Sequence, residues 1–220
     1  MFLIIRKILS TIIEAIYPTT PLIGKILDLE PSELLKLIPC ASVINDKNFI
    51  AIISYKNPLT RTAIWEMKYR GHRGITKKMA AIMYDFLIIE LSEATTWQNF
   101  LNPIIVPIPI TKKRLAERGF NQAIRLAEEL YRLDNGTNFT TNSCNFVKTK
   151  NTERQSHTHG RTERLKNLED SFEVINPADF AGRNIILLDD VITTGATMKE
   201  AKKTLKKAGA KKIICLALAH

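Results

Sequence analysis

The 220 residues include 45% hydrophobic and 25% charged side chains. This composition excludes disordered and fibrous classes, and the length favours one domain, with room for a small appendage, that buries a full core without covalent staples. The net charge of +10 and pI near 9.6 favour anionic partners such as phosphates, nucleic acid or an acidic membrane, with a basic solvated surface as the plain alternative.

The chain opens on MFLIIRKILSTIIEAIY, where Ile5, Ile8, Leu9, Ile12 and Ile16 fall on one helical face. Arg6, Lys7 and Glu14 interrupt the run before it reaches the roughly 18 apolar residues of a spanning helix, and no small-residue cleavage site follows. An amphipathic helix packed on the domain or on a partner is the favoured expectation, and attachment to a membrane surface is the alternative. Residues 1–40 read as helical, punctuated by Pro18, Pro21, Pro31 and Pro39. Segment 1–48 is taken as a helical N-terminal unit and 49–220 as the main domain. Cys40, Cys144 and Cys215 lie far apart and form no CxxC pair, so neither a zinc site nor a disulfide framework is expected. A reducing cytoplasm is the simplest compartment.

Residues 49–55, FIAIISY, have strand composition, and Asn57-Pro58 turns the chain. Helical periodicity covers 59–70 and 75–93, separated by Gly71 and Gly74. Residues 103–110, PIIVPIPI, form an apolar run of the kind buried in a parallel sheet. A basic stretch, TKKRLAERGFNQ, leads into a helix from Ala123 to Leu133, and Asn135-Gly136 marks a turn. Short strands are expected at 144–149 and from Phe172 to Ile175. Between them, 150–168 is polar, basic and without apolar periodicity, which reads as a long mobile loop of a kind often functional. A strongly apolar strand at 184–189, a helix at 194–208 ended by Gly209, and a final buried strand at 212–219 complete the chain. Such alternation argues for an α/β fold, a mostly parallel twisted sheet flanked by helices.

The most informative segment is IILLDDVITTGAT, Ile185 to Thr197. A buried strand delivers Asp189 and Asp190 to its C-terminal end, where ligands of open α/β sheets bind. Val191 leads into a turn of Thr193, Thr194, Gly195, Ala196 and Thr197, and a helix begins. Gly195 allows backbone that a side chain forbids. The free N–H groups of the first helical turn and the threonine hydroxyls form a cradle for a phosphate monoester. The acids would repel that phosphate, so a sugar diol is their natural partner. A ligand with both features is a ribose 5-phosphate.

The same segment resembles the signature of type I phosphoribosyltransferases, which bind 5-phosphoribosyl 1-diphosphate (PRPP). The resemblance implies that Asp189 and Asp190 take the ribose hydroxyls, that Thr193 to Thr197 take the 5-phosphate, and that Mg²⁺ accompanies PRPP, meeting the acids only indirectly. VPIPITKKRLAERGFNQAIRLAEEL, Val106 to Leu130, further resembles the ComF family pattern. So do Tyr55, Lys68-Tyr69, and Thr152, Gln155, Arg161, Arg164, Asn167 and Phe172, so that the resemblance covers about residues 50–220. By that analogy the turn after 103–110 is a pyrophosphate loop, with Lys112, Lys113, Arg114 and Arg118 binding the diphosphate. Arg118 joins the two acids as a catalytic candidate, since cations beside a departing diphosphate stabilise developing charge. The 150–168 loop becomes a hood whose Arg154, Arg161 and Arg164 reach the diphosphate on closure, while His157 and His159 read as exposed loop residues. Many ComF-like proteins carry an N-terminal four-cysteine zinc module. Only Cys40 lies in that region here, so the module is expected to be lost or replaced by segment 1–40.

Two functions follow. In the first, an enzyme displaces diphosphate from PRPP with a nucleophile these residues do not name. In the second, a non-catalytic module serves DNA uptake, the process with which the ComF family is associated. Its partner would be single-stranded DNA or a competence-machinery protein, and its phosphate contacts would come from Lys199, Lys202, Lys203, Lys206 and Lys207.

Overall fold

The computed structural model describes residues 21–42, 49–150 and 170–220. Two short helices come first, α1 (Pro21–Asp28) and α2 (Pro31–Leu37). Strand β1 (Phe49–Ile53) follows, then α3 (Pro58–Trp65), which runs directly into a π-helical turn, Glu66–Arg70. The long α4 (Arg73–Gln98) leads to β2 (Ile104–Pro107), α5 (Lys112–Arg118), α6 (Gln122–Asp134) and the short β3 (Thr140–Thr141). A small pair, β4 (Phe146–Lys148) and β5 (Phe172–Val174), precedes β6 (Asn184–Val191), α7 (Ala196–Lys207) and β7 (Lys212–Ala219).

Five strands form one parallel sheet in the order β1-β7-β6-β2-β3, with β6 in the middle. Its register pairs Val106 with Leu187 and Leu187 with Cys215. Both faces are covered, which explains why the strands read as continuous apolar runs. Ile186, Leu188, Leu216 and Leu218 point into the core shared with α1–α4 and α6, whereas Ile185, Leu187, Ile213 and Cys215 point into the core under α7 and the β4–β5 pair. Ile26 and Leu34 from the first two helices, and Ile38 just after the second, belong to the first of these cores.

Several sequence expectations shift. The strand expected over 103–110 closes at Pro107, although Ile108 N still donates to Leu188 O at 2.8 Å. The basic stretch read as a turn is the helix α5, capped by Thr111, whose Oγ1 accepts from Arg114 N at 3.3 Å. The helix expected over 75–93 begins at Arg73, so Gly74 lies inside its first turn, and it runs to Gln98. The helix expected over 59–70 changes hydrogen-bond pattern at Glu66. The strand at 184–189 extends through Val191, and β3 has no counterpart in the sequence reading. The amphipathic helix expected near residues 1–17 and all of the 150–168 hood after Lys150, with Arg154, His157, His159, Arg161 and Arg164, lie outside the described residues. Among the described residues no helix is long and apolar enough to cross a membrane.

Candidate functional site

The chain leaves β2 and β6 in opposite directions: β2 leads through α5 and α6 to β3 on one side, and β6 leads through α7 to β7 on the other. The crevice beyond the carboxyl ends of β2 and β6 is therefore the sheet's topological switch point. Asp189 and Asp190 end β6 there. Asp189 and the segment 191–198 together line a small cavity of about 40 Å³, so Asp189 and the threonine turn form one concavity, with Asp190 next in the chain.

Gly195 is the N-cap of α7 with φ of 74°, a left-handed conformation that favours glycine. An added Cβ would lie 3.3 Å from the Phe49 ring, which packs beneath the turn. The first intrahelical bond runs from Lys199 N to Gly195 O at 2.9 Å. The N–H groups of Ala196, Thr197 and Met198 therefore have no acceptor within the helix, and Ala196 N makes only a long contact, 3.4 Å, to Thr194 Oγ1. Thr193 and Thr194 are exposed, whereas Ala196 and Thr197 are half-buried. This is an open helix N-terminus suited to a tetrahedral anion.

The two carboxylates sit in unlike surroundings. Asp190 is 2% exposed, and its Oδ2 lies 2.9 Å from Lys68 Nζ. No donor among the described residues is aligned for a hydrogen bond to that oxygen, so it keeps hydrogen-bonding capacity despite the charge pairing. Asp189 Oδ1 accepts from Asp190 N at 2.8 Å. Burial and then the neighbouring Asp190 carboxylate push Asp189 up to about 8, with Lys68 opposing.

The basic residues fall in different places. Lys112 and Lys113 are exposed on α5, and Arg114 is half-buried. Arg118 donates from Nη1 to Gln122 Oε1 at 3.3 Å, and its guanidinium lies 5.1 Å from the Tyr69 ring. In this arrangement it packs α5 against the π-helical turn. The RGFNQ stretch acts as scaffold. Asn121, buried, donates from Nδ2 to Ile108 O at 2.9 Å and accepts from Ala123 N at 2.9 Å, tying the start of α6 to the end of β2. Phe120 lies under Arg125, 3.7 Å from guanidinium carbon to ring centroid, and Arg125 Nη1 donates to Gly71 O at 2.9 Å.

Two lysines join the site without having been assigned to it. Lys68 stands out in the sequence only through its family motif. Lys148 ends β4 and lies 5.2 Å from the Phe172 ring. Burial, and then the Arg114 guanidinium, hold its ammonium below the usual lysine range, while Asp189 opposes them. Lys148 thus stands within Coulombic reach of Arg114 on α5 and of Asp189. Thr149 N donates to Ser171 O at 2.9 Å, and Phe146 stacks on Phe172 at 5.2 Å, so residues 150 and 170 emerge side by side from a paired stem. Asp170 N donates to Glu200 Oε1 at 2.9 Å, pinning that stem to α7.

Comparison with known proteins agrees with this geometry. Residues 115–220 match the family described as "Phosphoribosyl transferase domain". The chain is 32% identical over 178 residues to Competence protein F of Haemophilus influenzae, covering 78% of this chain and 72% of that protein. It is 42% identical over 106 residues to Competence protein ComFC of Bacillus subtilis, covering 48% of this chain and 39% of that protein. It is 26% identical over 178 residues to DNA utilization protein YhgH of Escherichia coli, covering 79% and 74% respectively. With an acidic pair and an open helix N-terminus at the switch point of a parallel sheet, and with likeness to Competence protein F over most of both chains, this protein belongs to the ComF family and carries a phosphoribosyltransferase-like domain.

Proposed function

We propose that this chain binds PRPP with Mg²⁺ at the carboxyl end of β6 and acts in the cytoplasm on behalf of DNA uptake or utilisation. The observation that carries the reading is the joining of Asp189 to the Thr193–Thr197 turn in one cavity, with Asp190 next in the chain. The turn presents N–H groups and hydroxyls to a phosphate, and the acids present acceptors to vicinal hydroxyls. Magnesium takes about six oxygens. The acids offer too few alone, so the ion would be held mainly by the ligand's diphosphate and water, with Asp189 and Asp190 reaching it through the ribose hydroxyls. Lys112, Lys113, Arg114 and Lys148 supply positive charge where a diphosphate would leave, as transfer to a nucleophile requires. Arg118 bears on the site indirectly, through its hold on the π-helical turn.

Calorimetric titration with PRPP, with and without Mg²⁺, tests the reading beside an Asp189→Asn/Asp190→Asn double variant. Magnesium-dependent binding by the parent protein, lost in the variant, is the expected result. Absence of binding by the folded parent protein refutes it.

A second reading is a non-catalytic DNA-handling module. The names of the Haemophilus and Escherichia relatives favour it, as does α7, which carries Lys199, Lys202, Lys203, Lys206 and Lys207. Single-stranded DNA held by these lysines should dissociate steeply as salt rises. Affinity independent of salt would exclude this surface.

A further inference from the structure

The ion pair between Lys68 and Asp190 has a consequence for the proposed site, and rests on that reading of it. Lys68 belongs to the π-helical turn Glu66–Arg70, a rare geometry that recurs at functional sites. The turn is held from outside at several points. Gly71 ends it with φ of 63°, and an added Cβ would lie 2.5 Å from Arg125 Nη1 and 2.8 Å from the Phe120 ring. Arg125 donates to the Gly71 carbonyl, and Arg118 covers the Tyr69 ring. Glu66, 2% exposed, pairs with Arg70 at 3.2 Å from within. These contacts place a half-buried ammonium, 21% exposed, against a carboxylate that is 3% exposed. A buried carboxylate without a counter-charge is strongly disfavoured, and Lys68 is the counter-charge that the structure sets against Asp190.

We propose that Lys68 is a positioning residue of the phosphoribosyl site, its ammonium supplying the counter-charge that holds the Asp190 carboxylate in place for the ribose diol. The RGFNQ stretch then has a function beyond capping α6: through Arg118, Phe120 and Arg125 it fixes the turn that carries Lys68.

The test measures PRPP, ribose 5-phosphate and inorganic phosphate binding to the full chain and to Lys68→Met and Lys68→Arg. Lys68→Met should weaken both sugar phosphates by about ten-fold or more, the size of one lost charged hydrogen bond. It should leave inorganic phosphate unchanged, because the cradle on α7 is intact, and Lys68→Arg should restore most of the loss. Unchanged sugar-phosphate binding by Lys68→Met overturns the proposal. So does a loss shared equally by inorganic phosphate and unrescued by arginine, which marks a purely structural role, and so does a loss confined to PRPP, which places Lys68 on the diphosphate instead.

A ligand-free cycle separates this inference from the reading beneath it. Melting temperatures of Lys68→Met, Asp190→Asn and the double variant should be non-additive, the second change costing less once the first is made. Additive shifts overturn the pairing whether or not PRPP binds. Non-additive shifts in a protein that binds no sugar phosphate support the pair and place the fault in the PRPP reading.

Discussion

Replacing glycine by alanine should have opposite effects at Gly71 and Gly24. At Gly71 the backbone is left-handed, with φ of 63°, and a β-carbon there costs roughly 1–2 kcal/mol. The new atom would also lie 2.5 Å from Arg125 Nη1 and 2.8 Å from the Phe120 ring, so both side chains must move. Their movement breaks the 2.9 Å hydrogen bond from Arg125 to Gly71 O and the guanidinium–ring contact at 3.7 Å. Discounted for partial exposure, these contacts contribute about 1–2 kcal/mol together. The sum is about 2–4 kcal/mol, or roughly 5–15 °C in melting temperature for a chain of this size. At Gly24, inside α1, an added Cβ meets only Asp28 Oδ2 at 3.9 Å. There alanine should stabilise by up to about 1 kcal/mol through helix propensity. Urea denaturation of the two variants measures both changes. A Gly71→Ala protein as stable as the parent would refute the clamp between the π-helical turn and α6, and with it the account of how Lys68 is placed.

Three more outcomes follow from the same contacts. Asn121→Ala should destabilise by about 2–4 kcal/mol in chemical denaturation, because it removes an N-cap and leaves the buried Ile108 carbonyl without its donor. The Asp189 carboxyl, pushed up to about 8 from 3.8, holds a proton in the folded chain that the unfolded chain has released. Its contribution therefore makes stability fall as pH rises from about 4 to about 8, and Asp189→Asn should flatten that part of a melting-temperature profile. Lys148→Ala should weaken PRPP by about ten-fold while leaving inorganic phosphate binding at the α7 turn unchanged in parallel calorimetric titrations, because Lys148 lies within Coulombic reach of Arg114 and Asp189 and does not line the cavity of the threonine turn.

The sheet was largely legible because its chemistry is local. The apolar runs ending at Leu188 and Ala219 are buried on both faces, and that burial leaves a continuous signature in the chain. The TTGAT turn was legible for the same reason, since cap, glycine and hydroxyls are consecutive. The rest of the site was hidden by distance along the chain. No local pattern links Lys68 to Asp190, and the extra residue that makes Glu66–Arg70 a π-helical turn leaves helical periodicity nearly intact. Helix α5 lacked an apolar stripe because none of its residues is buried. Strand β3 is two exposed threonines and owes its place to pairing with β2. Lys148 comes within Coulombic reach of Asp189 on a short strand, β4, that owes its place to pairing with β5.

Asp189 and Asp190 are proposed to recognise a ribose diol while the turn after them holds the phosphate. The most direct test compares ribose 5-phosphate with 2-deoxyribose 5-phosphate, titrated calorimetrically into the parent protein and into the Asp189→Asn/Asp190→Asn variant. Loss of the 2-hydroxyl should weaken binding to the parent by about 10- to 100-fold, the range for a hydrogen bond to a charged group, and the variant should barely distinguish the two sugars. Equal affinity of the parent protein for both would contradict it.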